Sequence, residues 1–357
     1  MSSSSSRRQE PTCASRWRVG LRSRLAGRSW LGRSGTFRDA MGSGSVSRRV
    51  RSEQKRDNVP CAAECSRQKS AGFAKLDSVE LQKWVGKTET VSDQVTPVPI
   101  AALRATLDID APPPKEGDAL PPLWHWLYFW PIHRQSEFGP EGHATKGGFL
   151  PPVELPRRMW AGSRFEFLHP LRVGGTYTRT SRIASVQRKE GRTGPLIFVT
   201  ARHEIGNGRS VALIEEQDIV YREDPKPGDV APLPQPAPKD AKWEREVKAD
   251  AVLLFRYSAL TFNAHRIHYD WRYAAQVEGY PGLVVHGPLI ATLLLDLLRR
   301  NSPDARIAGF MFRAVSPLFD TAPFWVCGKP ESDAKTISLW AKSESGNLAT
   351  SGTATIA

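Results

Sequence analysis

Cysteine is scarce in this chain: four in 357 residues, with Cys13, Cys61 and Cys65 among the first seventy and only Cys327 in the remainder. A lone body cysteine cannot build a disulfide framework, which suits a reducing compartment. Cys61 and Cys65 also lack the second ligand pair that a structural zinc site needs. Long apolar runs are missing too. The longest, residues 282–298, is broken by His286, Pro288 and Asp296, and is too interrupted to span a bilayer. Acidic residues are nearly absent from residues 1–70, where 14 Arg and 2 Lys face 5 Asp or Glu, a net of +11. Residues 71–357 hold 34 basic and 32 acidic side chains, a net of +2. The chain's overall charge of +13 therefore does not describe its folded surface. Phosphate binding draws its strength from concentrated positive charge, so neither a nucleic-acid nor a membrane partner is expected for the body. With 40% hydrophobic residues and 28 each of Gly and Pro, collagen, coiled coil and wholesale disorder are excluded.

The first 72 residues read as a disordered leader rich in Arg and Ser, because they offer too little apolar surface to offset the entropy of ordering. That composition matches a mitochondrial transit peptide and equally an over-early translational start, and no apolar core of signal-peptide length is present. The expected location is the cytoplasm, or the mitochondrial matrix if the leader is a transit peptide.

From about residue 76 the texture changes. Apolar residues three and four apart predict a helix over 76–85, and Pro97 at a first helical position predicts a second over 97–107, with Thr96 as its N-cap. Residues 123–130 are a dense aromatic run that reads as buried, as helix or strand. Alternating runs at 176–183, 196–203 and 211–221, separated by glycine turns, predict antiparallel strands. Prolines at 225, 227, 232, 234, 236 and 238 mark a stiff linker, giving a first unit over 73–224, a linker over 225–248 and a second unit over 249–357. In the second unit, residues 287–300 form a helix apolar around most of its circumference, hence buried. Strand-like segments follow at 307–315, 324–327, 336–342 and 349–356. A buried helix ahead of an antiparallel sheet implies an α+β unit in which the sheet wraps the helix. Helix precedes strands in the first unit as well, so the halves read as structural duplicates.

Chemistry concentrates in residues 256–270, Arg-Tyr-Ser-Ala-Leu-Thr-Phe-Asn-Ala-His-Arg-Ile-His-Tyr-Asp, which set Asn263, His265 and His268 within six residues. Imidazole suits proton transfer near neutrality, and an adjacent amide can orient water or substrate. The same histidines also fit a role as satisfied polar groups in a loop, or as metal ligands together with Asp270. The His286-Gly287-Pro288 step heads the buried helix, where unpaired N–H groups and the helix dipole favour a developing oxyanion. Gly287 would let a carbonyl approach the main chain, and a turn glycine ahead of a first-turn proline reads the same way.

Taken together, these segments resemble the MaoC-like family of hot-dog-fold hydratases and dehydratases. Its signature runs Asp-x-Asn-Pro-x-His, with a His-Gly step some twenty residues later. On that resemblance His268 falls on the catalytic histidine, Asn263 on the catalytic aspartate, His265 on the asparagine and Arg266 on the proline. Gly287 falls on the glycine whose N–H contacts the thioester carbonyl. An amide at 263 cannot accept a proton as a carboxylate does. The wording is closer to the branch of type 2 mitochondrial hydroxyacyl-thioester dehydratases and the mesaconyl-C4-CoA and itaconyl-CoA hydratases, where the substitution reads as a branch feature.

The resemblance implies a double hot-dog, two antiparallel sheets each wrapped around a central helix, with the first unit shaping the acyl pocket. It implies reversible hydration of an enoyl thioester carried on CoA or an acyl carrier, with His268, Asn263, His265 and Gly287 as the catalytic group. No metal or organic cofactor is implied, because the thioester itself acidifies the α-carbon. Arg256, Arg266 and His286 are the substrate-binding candidates, joined by Arg313, and a homodimer is the expected assembly. The rival readings are a thioesterase on the same fold and a non-catalytic acyl-CoA-binding protein.

Overall fold

The computed structural model describes residues 78–191, 194–224 and 233–357. The leader expected over 1–72 and the first part of the expected linker, 225–232, lie outside the described residues.

After a short α1 (Ser78–Gln82), the N-terminal half runs β1 (Thr88–Gln94), α2 (Pro97–Thr106), β2 (Arg157–Phe167), β3 (Thr176–Gly191), β4 (Gly194–Gly206) and β5 (Val211–Arg222). The C-terminal half runs β6 (Trp243–Val247), α3 (Ala251–Leu260), α4 (Gly287–Asn301), β7 (Ile307–Ala314), β8 (Phe324–Pro330), β9 (Thr336–Ser343) and β10 (Leu348–Ile356). All ten strands join one antiparallel sheet in the order β1-β3-β4-β5-β2-β7-β10-β9-β8-β6. From its outer edge to the seam, each half presents its first, third, fourth, fifth and second strand. The two halves are therefore duplicates in topology, although no sequence motif repeats. The fold is α+β, a double hot-dog whose halves meet along β2 and β7. Across that seam Phe165 stacks with Phe310 and Phe312, with ring centroids 6.1 and 6.4 Å apart, a cross-strand pairing of large apolar rings that fixes the register.

In the C-terminal half the central helix is α4. Leu289, Leu293, Leu294, Leu295 and Leu298 are buried and pack in one core with Phe324, Val326 and Leu339 of the sheet. Each such side chain contributes roughly 1.5–3 kcal/mol by leaving water. The one acid of the helix, Asp296, is also buried, and Arg245 and Arg300 approach it at 3.0 and 2.7 Å. These partners are what allow a carboxylate inside an otherwise apolar rod. In the N-terminal half the aromatic run makes only a 3₁₀ turn, Trp124–Leu127, because Leu123 and Phe129 on either side adopt left-handed backbone angles, φ 71° and 58°. Trp124, Leu127 and Phe129 are buried in the same core as α2 and the sheet.

Two expectations change. Residues 243–247, expected inside the stiff linker, form β6 and pair with β8 at the edge of the C-terminal sheet. The second unit thus begins before residue 249, and proline content marked only the entry to it. Thr96 occupies the N-cap position of α2 in extended conformation, but its side chain caps nothing. No helix among the described residues is long and apolar enough to cross a membrane.

Candidate active site

The histidine segment is built as a tight descent from α3 to the head of α4. Asp250 caps α3 by accepting the Leu253 N–H at 2.8 Å. The helix ends at Leu260, Phe262 with a φ of 50° turns the chain, and the Asn263 N–H donates back to the Ser258 carbonyl at 2.8 Å. The Asn263 side-chain carbonyl accepts the His265 N–H at 3.0 Å, an Asx turn that sets the direction of His265. A 3₁₀ turn, Arg266–His268, follows and is stapled to the approach of α4 by the Val284 N–H donating to the Ile267 carbonyl at 2.9 Å.

This path places His268 at the amino end of α4. Its ring stacks on that of His286, the N-cap residue, with centroids 3.7 Å apart and planes 18° from parallel. His268 Nδ1 lies 2.8 Å from the Val284 carbonyl. A carbonyl can only accept, so Nδ1 carries the proton and Nε2 of the neutral ring is left with its lone pair. Nε2 has no hydrogen-bond partner among the described residues. His286, fully buried, shares a 2.8 Å hydrogen bond between Nε2 and Ser258 Oγ, while its Nδ1 has none. His265 stands edge-on to His268 at 5.3 Å. Gly287 opens α4, and a Cβ placed there would meet nothing within 4 Å. Open space therefore lies beside the helix-start N–H groups.

The cluster is held uncharged. Burial lowers the pKa of His268 to about 4, partly offset by the Val284 carbonyl. Burial, then the neighbouring His268 and Arg158, lower that of His265 to about 3. His286 is pushed well below its ordinary value by burial and by His268 and His265. Desolvation disfavours the imidazolium, so at neutral pH all three rings are bases.

A model of the family described as hydroxyacyl-thioester dehydratase type 2 matches residues 123–320, a span that contains the whole cluster. The chain belongs to the type 2 hydroxyacyl-thioester dehydratase family. It is 47% identical over 281 residues to the mesaconyl-C(4)-CoA hydratase of Chloroflexus aurantiacus, covering 78% of this chain and 98% of that one. It is 26% identical over 279 residues to the mitochondrial hydroxyacyl-thioester dehydratase type 2 of Schizosaccharomyces pombe, covering 66% and 88%. The solved MaoC-like dehydratase of Phytophthora capsici shares the fold, with a TM-score of 0.55 at 14% identity over 77% of this chain and 97% of that one.

Within this family member the structure gathers Asn263, His265, His268, His286 and Gly287, and leaves the expected arginines apart. Arg256 is exposed on α3, two residues and so about 200° around the helix from Ser258. Arg313 is exposed on β7. Arg266 is committed to Asp270, with Nε and Nη2 donating to Oδ2 at 3.0 and 2.7 Å, and it lies over the Tyr273 ring. It borders a surface cleft of about 430 Å³ with Phe138, Pro140, Gly142 and Tyr269. Asp270, the third member of the metal reading, is held by Arg266 and the Tyr273 N–H. Among the described residues no three His, Cys, Asp or Glu side chains are grouped to hold a metal ion.

Three site residues escape sequence reading. Ser258 lies on the buried face of α3 as the partner of His286. His143 reaches His265 from the N-terminal half, ring centroids 4.1 Å apart. Arg158 of β2 has no carboxylate partner among the described residues, and its charge lowers the pKa of both His143 and His265. No local signal marks the last two, because both are more than 100 residues away from the motif they serve.

Proposed function

We propose that the protein adds water across the double bond of an enoyl-CoA thioester, and removes it in reverse, at the His265–His268–His286 cluster. It is a hydro-lyase acting on acyl thioesters. The observation that carries the site reading is His268: a buried, neutral imidazole with its Nε2 lone pair free, stacked against the N-cap of α4 beside the open space at Gly287.

In hydration, His268 Nε2 takes a proton from water as the oxygen bonds to the β-carbon. The electron pair of the double bond shifts toward the thioester oxygen, and the α-carbon then takes a proton back, so that one water is added overall. The Gly287 N–H, at the positive end of the α4 dipole, stabilises the enolate oxygen, a contribution of about 3–4 kcal/mol for a donor of this kind. Asn263 holds His265 in place through its Asx turn, and His265 orients the water. The thioester supplies the acidity of the α-carbon, so the scheme requires no metal or organic cofactor.

The favoured substrate is a short dicarboxylic acyl-CoA such as mesaconyl-C4-CoA or itaconyl-CoA. Two observations support this choice: the 47% identity to a mesaconyl-C(4)-CoA hydratase over most of both chains, and Arg158, a cation whose charge acts on His143 and His265 and which has no carboxylate partner among the described residues. A guanidinium suits bidentate pairing with the substrate's free carboxylate. We place the reaction in the cytoplasm, or in the mitochondrial matrix if the leader directs the chain there, with the homodimer as the working assembly.

Incubation of the intact protein with crotonyl-CoA, mesaconyl-C4-CoA and itaconyl-CoA, followed by product mass, tests the reading. A gain of one water without release of free thiol is the expected result. Free CoA thiol would mark a thioesterase, and binding without any mass change a non-catalytic acyl-CoA carrier; either would overturn the proposal.

A further inference from the structure

Residues 137–145 belong to the N-terminal half, yet their tip is built onto the segment that carries His265 and His268. The hairpin is closed on itself by the Phe138–Ala144 bridge, by the Gly139 N–H donating to the His143 carbonyl at 2.7 Å and by the Thr145 N–H donating to the Glu137 carbonyl at 2.8 Å. Arg266 then clasps it: its backbone N–H donates to the Glu141 carbonyl and its Nη1 to the Pro140 carbonyl, both at 2.9 Å. Gly142 adopts φ +88°, and a Cβ there would lie 1.9 Å from the Ala264 carbonyl oxygen. Only glycine permits this approach.

The docking delivers one side chain to the cluster. The His143 ring lies 4.1 Å from His265, tilted by 37°, and extends the file to four imidazoles, His143, His265, His268 and His286. On its outer side Nδ1 is 4.0 Å from Glu141 Oε1. Burial lowers the pKa of His143, and the charge of Arg158 of β2, with His265 and His268, adds to the fall. The mechanism above leaves His143 without a task, although a backbone clasp, a charged side chain and an obligatory glycine are all spent on holding it there.

We propose that His143 is a positioning residue for the hydration: it packs the His265 ring in the orientation that aims it at the substrate water, so that the N-terminal half contributes to turnover as well as to the pocket wall. His143 takes no proton in the exchange, which runs between water, His268 Nε2 and the α-carbon. The inference rests on the hydratase reading. Small misplacements near reacting atoms cost up to about a hundredfold in rate. Acting through one intervening ring, the loss of His143 should cost roughly tenfold on the same reasoning.

Steady-state kinetics of the full chain test this, using whichever of crotonyl-CoA or mesaconyl-C4-CoA the unaltered protein hydrates faster. His143→Ala should lower kcat about tenfold with KM within twofold, and His143→Gln, which refills the space, should recover part of it. Gly142→Ala, which keeps the imidazole but pushes the tip off the Ala264 carbonyl, should give a comparable loss, and the double variant should fall no further than the weaker single one. His133→Ala, a change at an exposed histidine of the same loop, should leave kcat unchanged. Normal kcat in His143→Ala, a loss confined to KM, or additive losses in the double variant would each overturn the role. If the unaltered protein hydrates neither thioester, the functional reading fails by itself. The inference is then decided by NMR, since an unshifted His265 ring signal in His143→Gln would reject the contact on which it depends.

Discussion

In the N-terminal half a buried histidine meets a carboxylate; in the C-terminal half it meets another imidazole. Glu215 of β5, 2% exposed, accepts hydrogen bonds at 2.9 Å from His125, 3.2 Å from Trp126 and 2.8 Å from Gln217, and lies opposite His203 in the β4–β5 ladder. Burial pushes its pKa up, but the hydrogen bond and charge of His125 outweigh that and hold the carboxyl below its ordinary range. The acceptor is saturated and closed off, which makes the group a fixed polar pin in the core. The rings of His268 and His286 hydrogen-bond only to neutral groups, a carbonyl and a hydroxyl. Burial keeps the rings neutral, and His268 Nε2 and His286 Nδ1 have no hydrogen-bond partner among the described residues. A carboxylate pins one cluster, and no carboxylate hydrogen-bonds the rings of His268 and His286 in the other.

The contrast can be broken at Glu215. Glu215→Ala strands His125 and Trp126 in the core and should cost about 3–5 kcal/mol of stability by denaturant titration. Turnover per folded molecule should stay within twofold. An unchanged midpoint would mean that the carboxylate pins nothing.

Acid should act on the other cluster. A buried histidine with its pKa lowered from 6.5 to about 4 binds its proton in the unfolded chain first. Stability is then unaffected above about pH 6.5 and falls as pH drops from there to about 4, by about 3 kcal/mol for His268 alone. His265 of the same cluster shifts in the same direction, and His203 of the N-terminal half adds to the fall. Melting temperature measured from pH 7.5 to 4.5 should fall across that window. A flat profile would show that the rings are not desolvated.

Smaller effects separate substrate contacts from scaffolding. Arg158→Met should raise KM for mesaconyl-C4-CoA about tenfold, or roughly 1.4 kcal/mol, while leaving crotonyl-CoA unchanged. Equal losses on both substrates would remove Arg158 from carboxylate recognition. Asn263→Asp should change kcat by no more than about threefold, since a carboxylate accepts the His265 N–H as well as an amide does. A rise of tenfold or more would show that proton acceptance at 263 limits the rate.

What the sequence disclosed follows from the range of the interactions concerned. The α4 helix, the long strands and the Asn263–His268 motif were legible because periodicity and spacing are local properties. The aromatic run at 123–130 was not, because two left-handed residues at its ends decide its shape and neither is glycine. β6 was hidden by the prolines before it, for a strand needs only an edge to pair with. His143 and Arg158 were invisible for a different reason: each meets the motif through chain reversals more than 100 residues long, and no pattern within a segment records what folds against it. Arg256 and Arg266 show the converse. Both carry the right charge near the right motif, yet one faces away from Ser258 and the other is paired to Asp270.

The most direct test is the rate at which His268→Ala hydrates mesaconyl-C4-CoA or crotonyl-CoA, measured on protein shown by its melting curve to be folded. With Nε2 of that ring as the base, turnover should fall by about a hundredfold or more. Turnover near that of the unaltered protein would contradict the account.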